Sequence, residues 1–196
     1  MKLGLIDLDI GNLGSIESAM NKLNVKYKIC KSSKDLNNVN KIILPGVGSY
    51  KAFMKILKKK KIKQDIITFA KKDIPILGIC LGFQILFTDS SENGISNGLN
   101  LLKGNIINFK DYNKKIKVPH VGWNSCELFK KSKLFSGIQE DTDFYFTHSF
   151  HVSNYEENIV LSKTLYHFKF ISAVNHKNIY GVQFHPEKSQ NNGLKL

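Results

Sequence analysis

The segment from Ile74 to Phe87 reads IPILGICLGFQILF, and it decides the fold. It is almost wholly apolar, but Gly78 and Gly82 stand two residues on either side of Cys80. The pattern predicts a buried strand that leads into a helix over Leu81–Phe87. A nucleophile at a sharp strand-to-helix turn needs small neighbours, because larger side chains would collide with the strand and the helix. The segment therefore indicates either an activated thiol or a structural cysteine packed between two glycines.

Strand and helix patterns alternate before this segment. Strands are expected in KLGLIDLD (residues 2–9), at Val25–Ile29 and in KIIL (41–44), and apolar residues at helical spacing follow the first and third of these. Such alternation predicts a parallel sheet with helices on both faces. From residue 99 onward, strand-like pieces with short polar turns predominate. We expect one α/β domain over residues 1–196: a mostly parallel central sheet flanked by helices, with added antiparallel strands.

The composition narrows the possible classes of protein. Of the 196 residues 42% are hydrophobic, which suits a globular core without disulfides or metal. The three cysteines lie far apart and form no Cys-x-x-Cys pair, so no disulfide framework and no metal site is expected. No apolar run approaches the roughly 18 residues of a membrane helix, and no secretory signal is recognisable. A cytoplasmic protein without a membrane partner is expected.

The formal charge of +13 raises the question of nucleic-acid binding. All 29 basic residues are lysines, however, and arginine is the residue that forms bidentate contacts with guanine and phosphate. The lysines are densest over Lys51–Lys72, where Phe53, Ile56 and Leu57 keep a helical spacing between them. We interpret this region as the solvated face of a helix and expect no nucleic-acid partner.

A second motif, GVQFHPEKS, covers residues 181–189. Its strand pattern ends at His185, because Pro186 cannot continue a sheet, and Glu187 lies two residues beyond the histidine. Both side chains would project from the carboxyl edge of the sheet, where sites in open α/β sheets usually form. Cys80, His185 and Glu187 could then form a triad, in which the histidine is the base and the carboxylate fixes its tautomer. Alone, His185 could equally be a turn histidine.

A third motif, LPGVGSY, covers residues 44–50. Two glycines after a strand could hold a phosphate, but the Gly-Lys-Ser/Thr ending of a phosphate-binding loop is missing. The other use of such a loop is to bring backbone N–H groups close to a substrate oxygen. That use complements a thiol nucleophile.

These motifs, with HVGWN (120–124) and FYFTHSF (144–150), occur in a specific order. The chain closely resembles the class I (triad) glutamine amidotransferases, and within them the glutaminase subunits of imidazole glycerol phosphate synthases. The resemblance extends from residue 6 to residue 194. It implies that Cys80 is the nucleophile, His185 the general base and acid, and Glu187 the carboxylate that orients the imidazole.

The resemblance also implies an oxyanion hole, formed after a peptide flip near Val47, a glutamine subsite and a partner interface. The oxyanion hole would be formed by Val47, Gly48 and Leu81. The glutamine subsite would include Gly46, Gln84, Ser149 and Phe150, and the partner interface would include Asn12, Trp123 and Lys188. Trp123 could instead be a core residue, because tryptophan serves in both settings.

The implied activity is hydrolysis of L-glutamine to glutamate and ammonia without a cofactor. The ammonia would pass to a cyclase subunit, a (β/α)8 barrel that completes a heterodimer in histidine biosynthesis. The alternative is supply of ammonia, through a cyclase-like partner, to an amidating enzyme of surface-sugar biosynthesis. This alternative is suggested by four residues that depart from the family pattern: Leu8, Asp9, Phe83 and Phe150. Of these, Phe83 belongs to the expected glutamine pocket. A noncatalytic scaffold and a nucleic-acid binder are the competing hypotheses from other classes.

Overall fold

A computed structural model describes residues 2–10 and 13–196 of the protein. Within these residues the strands, in chain order, are β1 (Leu3–Ile6), β2 (Tyr27–Cys30), β3 (Lys41–Gly46), β4 (Ile76–Cys80), β5 (Asp89–Ser90), β6 (Ser96–Asn97), β7 (Asn105–Asn108), β8 (His120–Leu128), β9 (Thr142–His148), β10 (Phe150–Ser153), β11 (Val160–Tyr166), β12 (Phe168–His176) and β13 (Ile179–Val182). The α-helices are α1 (Gly14–Lys22), α2 (Tyr50–Lys59), α3 (Ile62–Lys71), α4 (Leu81–Gln84), α5 (Phe109–Tyr112) and α6 (Gln190–Lys195). Short 3-10 helices cover Ser33–Leu36, Lys133–Phe135, Glu157–Ile159 and Pro186–Lys188.

A nine-stranded sheet in the order β2-β1-β3-β4-β13-β12-β11-β8-β9 forms the centre of the molecule. Strands β2, β1, β3, β4 and β13 pair in parallel, and the remaining pairs in this sheet are antiparallel. The predicted fold class, a mostly parallel sheet extended by antiparallel strands, is confirmed. The carboxyl ends of β3, β4 and β13 lie side by side, which brings three separate motifs to one edge.

Helices cover the sheet on both faces. The consecutive residues Leu5 and Ile6 of β1 point to opposite faces and belong to two different buried clusters. The cluster around Ile6 includes Phe53 and Leu57 of α2, whereas the cluster around Leu5 includes Ile16 of α1. The lysines of α2 that separate its buried residues are exposed, as the spacing of that helix predicts.

Three details differ from the sequence-based expectation. The helix after Cys80 ends at Gln84 rather than Phe87, because the chain turns there to pair with a second sheet. That sheet, in the order β10-β7-β5-β6, takes up part of the region expected to add strands to the central sheet. Strand β3 continues beyond Leu44 to Gly46. Proline is tolerated at position 45 because β1 no longer pairs with β3 there, so no hydrogen bond to β1 is lost through the missing N–H.

Candidate active site

Cys80 lies at a sharp turn between β4 and α4. Its backbone angles are φ 53° and ψ −109°, a conformation that L-residues with side chains rarely adopt. A Cβ added to Gly78 would lie 2.6 Å from the carbonyl oxygen of Gly82, and one added to Gly82 would lie 1.8 Å from the oxygen of Leu44. The two glycines therefore let the turn pack directly on the backbones of β4 and β3, and this explains why they flank the cysteine.

Replacing Gly82 tests whether this close packing is required. We expect Gly82→Ala to lower the free energy of unfolding by about 3 kcal/mol or more, because backbone atoms cannot yield to the added methyl group. Gly137→Ala is the control, since its φ is +76° but its added Cβ meets no atom within 4 Å, and it should cost only about 1 kcal/mol. Urea unfolding measures both. Equal losses would contradict the packing argument.

His185 and Glu187 form a buried pair just beyond β13. Val182 of β13 pairs with Ile79 of β4, so the histidine emerges at the same edge of the sheet as Cys80. The backbone N–H of His185 donates to the backbone carbonyl oxygen of Tyr145 at 2.8 Å. Pro186 begins the short 3-10 helix that turns Glu187 back toward the imidazole ring. His185 Nδ1 lies 2.7 Å from Glu187 Oε1, and both side chains are buried. The Nε2 atom is therefore the one left for chemistry, and within residues 2–10 and 13–196 it has no hydrogen-bond partner.

Opposing effects act on the charge of His185. Burial disfavours the imidazolium, but the neighbouring Cys80 side chain, as a thiolate, and the Glu187 carboxylate outweigh it and raise the pKa of His185 to about 10. Cys80 is thus close enough to the ring to act on its protonation. The arrangement can hold a proton on the imidazole beside the sulfur and pass it to a leaving group.

The raised pKa of His185 has a consequence for stability. Because the folded pKa is about 10 and the usual value 6.5, the stabilisation by the charged ring is complete below pH 6.5 and is lost as the pH rises to about 10. We expect the free energy of unfolding of the wild type to fall over this window relative to His185→Gln. Urea unfolding at a series of pH values measures the difference. A difference that grows with pH would contradict the assigned charge pair.

The Cys80 sulfur has two further polar neighbours. It lies 3.9 Å from the Thr147 carbonyl oxygen, to which a protonated thiol donates. Gln183, the residue after β13, donates to the sulfur through Nε2 at 3.8 Å. Sequence reasoning did not single out Gln183, although a polar residue between the apolar Val182 and Phe184 is a signal that could have found it, and the structure buries it fully.

The loop that follows β3 lies beside the cysteine. Gly46 pairs directly with Cys80, and Val47 is partly exposed. Gly48 has φ +97°, which favours glycine, and a Cβ there would meet no atom within 4 Å. Leu81 is the first residue of α4, so its N–H has no partner inside that helix. The assignment of Val47, Gly48 and Leu81 to an oxyanion hole stays a prediction.

The residues predicted to bind glutamine converge on the same edge. Strand β9 ends at His148 and β10 begins at Phe150, so Ser149 occupies the corner at which the chain passes from one sheet to the other. Gln84 Nε2 donates to the Phe150 carbonyl oxygen at 3.1 Å. The assignment of Phe83 to the glutamine pocket is wrong: its fully buried ring packs under Gly181 and against Phe87, because α4 turns that side chain to the core.

The residues predicted to contact a partner lie at the surface near this edge. Trp123 on β8 is 47% exposed, and its ring meets that of Tyr145 edge to face at 6.0 Å. The exposed Lys188 places Nζ 5.9 Å from the centre of the same Tyr145 ring. The interpretation of Trp123 as a core residue is therefore wrong. Asn12 lies outside the described residues.

The loop after β1 contains Leu8 and Asp9, two of the departures from the family pattern, and ion pairs of Asp9 hold it in place. Asp9, at φ 57°, contacts Nζ of Lys60, the residue that follows α2, at 2.6 Å and Lys31 Nζ at 3.1 Å. The Lys60 and Lys31 contacts lower the pKa of the Asp9 carboxyl group. Leu8 is buried in the core beside it.

Across residues 2–10 and 13–196, no group of three or more histidine, cysteine, aspartate or glutamate residues is arranged to hold a metal ion. Over the same residues, each helix is too short or too polar to cross a membrane.

Comparison with known proteins gives consistent matches along the whole chain. The family model described as glutamine amidotransferase class-I matches residues 4–195. The imidazole glycerol phosphate synthase subunit HisH of Methanocaldococcus jannaschii is 44% identical over 194 residues, which are 99% of this chain and 95% of that protein. Subunit HisH 1 of Campylobacter jejuni is 41% identical over 198 residues, 99% of this chain and 96% of that protein.

Solved structures show the same fold at lower identity. A crystal structure of a glutamine amidotransferase superimposes with a TM-score of 0.77 at 16% identity, covering 98% of this chain and 94% of that one. The structure of PurLQS from Thermotoga maritima gives a TM-score of 0.77 at 20% identity, covering 99% of this chain and 94% of that one. At these identities the likeness bears on the fold alone.

Proposed function

We infer the function from one premise: the chain belongs to the class I glutamine amidotransferase family. It is a glutaminase that hydrolyses L-glutamine to glutamate and ammonia, and it acts as the glutaminase subunit of an imidazole glycerol phosphate synthase. The relatives that match this chain at about 40% identity over nearly their full length carry the name of that subunit, which supports a place in histidine biosynthesis.

One observation carries the assignment of the chemistry to particular residues. Cys80 at a strained turn after β4 and the bonded pair of His185 and Glu187 after β13 lie at the same edge of the sheet, on neighbouring strands. A nucleophile, a base and a group that orients the base are the parts of a catalytic triad. We assign these three residues the roles of nucleophile, general base and acid, and orienting carboxylate.

The first half of the proposed reaction forms a thioester. The sulfur of Cys80 attacks the side-chain amide carbon of glutamine, and the carbonyl oxygen becomes an oxyanion. The N–H groups of Leu81 and Gly48, after a peptide flip near Val47, stabilise this oxyanion, and each such donor contributes about 3 kcal/mol in comparable sites. His185 gives its proton to the amide nitrogen, the carbon–nitrogen bond breaks, and ammonia leaves.

The second half restores the enzyme. His185 takes a proton from water, and the resulting hydroxide attacks the thioester carbon. The carbon–sulfur bond breaks, so that glutamate leaves and Cys80 returns to the thiolate. The substrate is held in this scheme by Gly46, Gln84, Ser149 and Phe150, and no cofactor is required.

The product ammonia explains why a partner is needed. Ammonia in neutral water is mostly protonated and no longer a nucleophile, so it must pass directly to the site where it is used. We propose a heterodimer with a cyclase subunit that is a (β/α)8 barrel, which contacts the surface formed by Trp123 and Lys188 and, as the family resemblance implies, also Asn12. The exposed Trp123, next to the exposed Val121, supports this surface.

Replacing Trp123 tests the proposed interface. We expect Trp123→Ala to weaken binding of the cyclase subunit by about 2 kcal/mol, roughly thirtyfold, with a change in stability below about 0.5 kcal/mol. Ile95→Ala is the matched control, because Ile95 is 84% exposed but carries no assigned role. Isothermal titration calorimetry measures both. Unchanged binding by Trp123→Ala would contradict the interface.

The relatives favour the histidine pathway over supply of ammonia to surface-sugar synthesis, since those reported above carry the synthase name. A cytoplasmic location is part of the same proposal. The direct test is glutamate release by the purified chain with a cyclase subunit of the synthase and its substrate. Absence of glutamate release in the assembled complex would overturn the proposed function.

A further inference from the structure

A series of buried and partly buried hydrogen bonds starts at the Cys80 sulfur and ends on β8, the strand that carries Trp123. The triad uses none of its other members. Its contacts are Gln183 Nε2 to Cys80 Sγ (3.8 Å), Gln84 Nε2 to Gln183 Oε1 (2.9 Å), Gln84 Nε2 to Phe150 O (3.1 Å), His148 Nδ1 to Phe150 O (2.8 Å), His120 Nδ1 to His148 Nε2 (3.0 Å) and Asn124 Nδ2 to His120 Nε2 (3.3 Å).

One backbone atom sets the direction of the bonds that lead to the sulfur. The carbonyl oxygen of Phe150 can only accept, so Gln84 must turn its NH2 group toward it. The second hydrogen of that NH2 group meets the side-chain oxygen of Gln183. The NH2 group of Gln183 therefore faces Cys80, and it offers a donor that a negatively charged sulfur accepts.

The same carbonyl oxygen sets the direction of the bonds that lead to β8. His148 donates to it through Nδ1–H, and burial lowers the pKa of His148 to about 3 and that of His120 to about 4. Both rings are therefore neutral at pH 7, with the lone pair of each on Nε2. His148 accepts from His120, which lies directly opposite on β8, and His120 accepts from the NH2 group of Asn124.

A second contact fixes the amide of Asn124 at the far end. Its side-chain oxygen accepts from the Ser125 N–H at 2.9 Å, and its NH2 group also donates to the Leu165 carbonyl oxygen at 3.0 Å. The donor direction required by the histidines thus agrees with the direction required by the backbone of two strands. The donor directions along the network are thus mutually consistent, and a connected network of this kind holds its members in one arrangement.

We propose that this series of hydrogen bonds positions the groups of the active site. Gln183 orients both the Cys80 sulfur and the Gln84 amide. The pair of His120 on β8 and His148 on β9 fixes the Phe150 carbonyl group. The part that concerns Gln84 and Phe150 rests on the proposed function, in which they bind glutamine. The contact between Gln183 and Cys80 is independent of it. Because Asn124 follows Trp123, the series joins the proposed partner surface to the glutamine subsite.

Alkylation of Cys80 by iodoacetamide without glutamine tests the half of the series at the sulfur. Gln183→Met keeps the length of the side chain but removes the donor, so we expect alkylation at pH 7 to slow about tenfold. Ser162→Ala is the control, since it removes a buried hydrogen bond to Ser172 in the same sheet, and it should leave the rate unchanged. Peptide mass spectrometry follows Cys80 separately from Cys30 and Cys126. A wild-type rate in Gln183→Met, or equal slowing in the control, would overturn the proposal.

A second variant covers the case in which Gln183→Met does not fold. Gln183→Glu keeps the shape of the side chain and turns an oxygen toward the sulfur, so it should slow alkylation at least as much. A wild-type rate in this variant would count equally against the role of Gln183.

Nitrogen-15 NMR of the imidazole rings tests the half of the series at β8. We expect His148 and His120 to be neutral at pH 7 with the proton on Nδ1, and an Nε2–H tautomer of either would overturn the proposal. We also expect His148→Leu to raise the KM for glutamine about tenfold with a smaller change in kcat. His151→Leu is the control, because His151 packs on the same Phe109 ring but, among the residues that the structure describes, its side chain hydrogen-bonds only to the Val152 carbonyl oxygen. Equal effects of the two variants would reduce His148 to a packing residue.

These readouts separate the inference from the proposed function. If the wild-type complex releases no glutamate, the function fails, but alkylation and NMR still decide whether the series of hydrogen bonds is present and acts on the sulfur.

Discussion

Cys80→Ala should abolish glutamate release, with kcat lower by about a millionfold, as expected when the nucleophile of a catalytic triad is removed. The sulfur is the only atom in the proposed scheme that can form the covalent bond to the substrate. The chain otherwise offers Cys30 and Cys126, which are buried, and burial raises the pKa of both thiols. Steady-state assays of glutamate in the assembled complex measure the loss.

A bypass experiment serves as the control for this prediction. Added ammonium salt at alkaline pH supplies free ammonia to the cyclase, so the Cys80→Ala complex should still form the final product from that source. Retention of glutamine hydrolysis by Cys80→Ala would contradict the assigned nucleophile. Loss of the ammonia-dependent reaction as well would indicate that the variant fails to assemble.

His185→Gln should lower kcat by about ten-thousandfold, the upper range for removal of a general acid and base. The raised pKa of His185 shows that the ring holds its proton firmly beside the sulfur, and the bond to Glu187 leaves Nε2 as the atom that transfers it. Glu187→Gln should cost less, about a hundredfold, because it disturbs the orientation of the ring without removing it. Single-turnover measurements of glutamate formation give both values.

The double variant of Cys80 and His185 gives the sharper comparison. Residues that act as one unit are strongly non-additive, so Cys80→Ala combined with His185→Gln should be no slower than Cys80→Ala alone. Additive losses would contradict a shared role in one step. A smaller loss in His185→Gln than in Glu187→Gln would contradict the order of their roles.

The alternating first half of the chain was the more predictable part of the fold. Buried parallel strands read as apolar runs, and α2 shows its inward face through Phe53 and Leu57 between lysines. The second half was less predictable, because alternation within a strand does not say which sheet the strand joins. The segment FYFTHSFHV is continuous in pattern, yet the structure divides it at Ser149 between two sheets.

The candidate site could be predicted where function imposes a special backbone or a sequence break. Gly78, Gly82 and Pro186 mark such places, and they led to Cys80 and His185. The site could not be predicted where a polar residue serves another side chain. Gln183 directly follows β13 and His120 begins β8, and nothing in their local sequence shows that hydrogen bonds through Gln84, Phe150 and His148 join their side chains.

Labelling with a glutamine analogue that carries a chloromethyl ketone in place of the side-chain amide tests whether Cys80 is the nucleophile that attacks glutamine. Such an analogue binds as glutamine does and alkylates whichever nucleophile attacks its carbonyl group. We expect one label per chain, on Cys80 alone, at a rate that added glutamine slows and His185→Gln lowers strongly. Labelling of Cys30 or Cys126 instead, or labelling of Cys80 at a rate that glutamine does not affect, would contradict it.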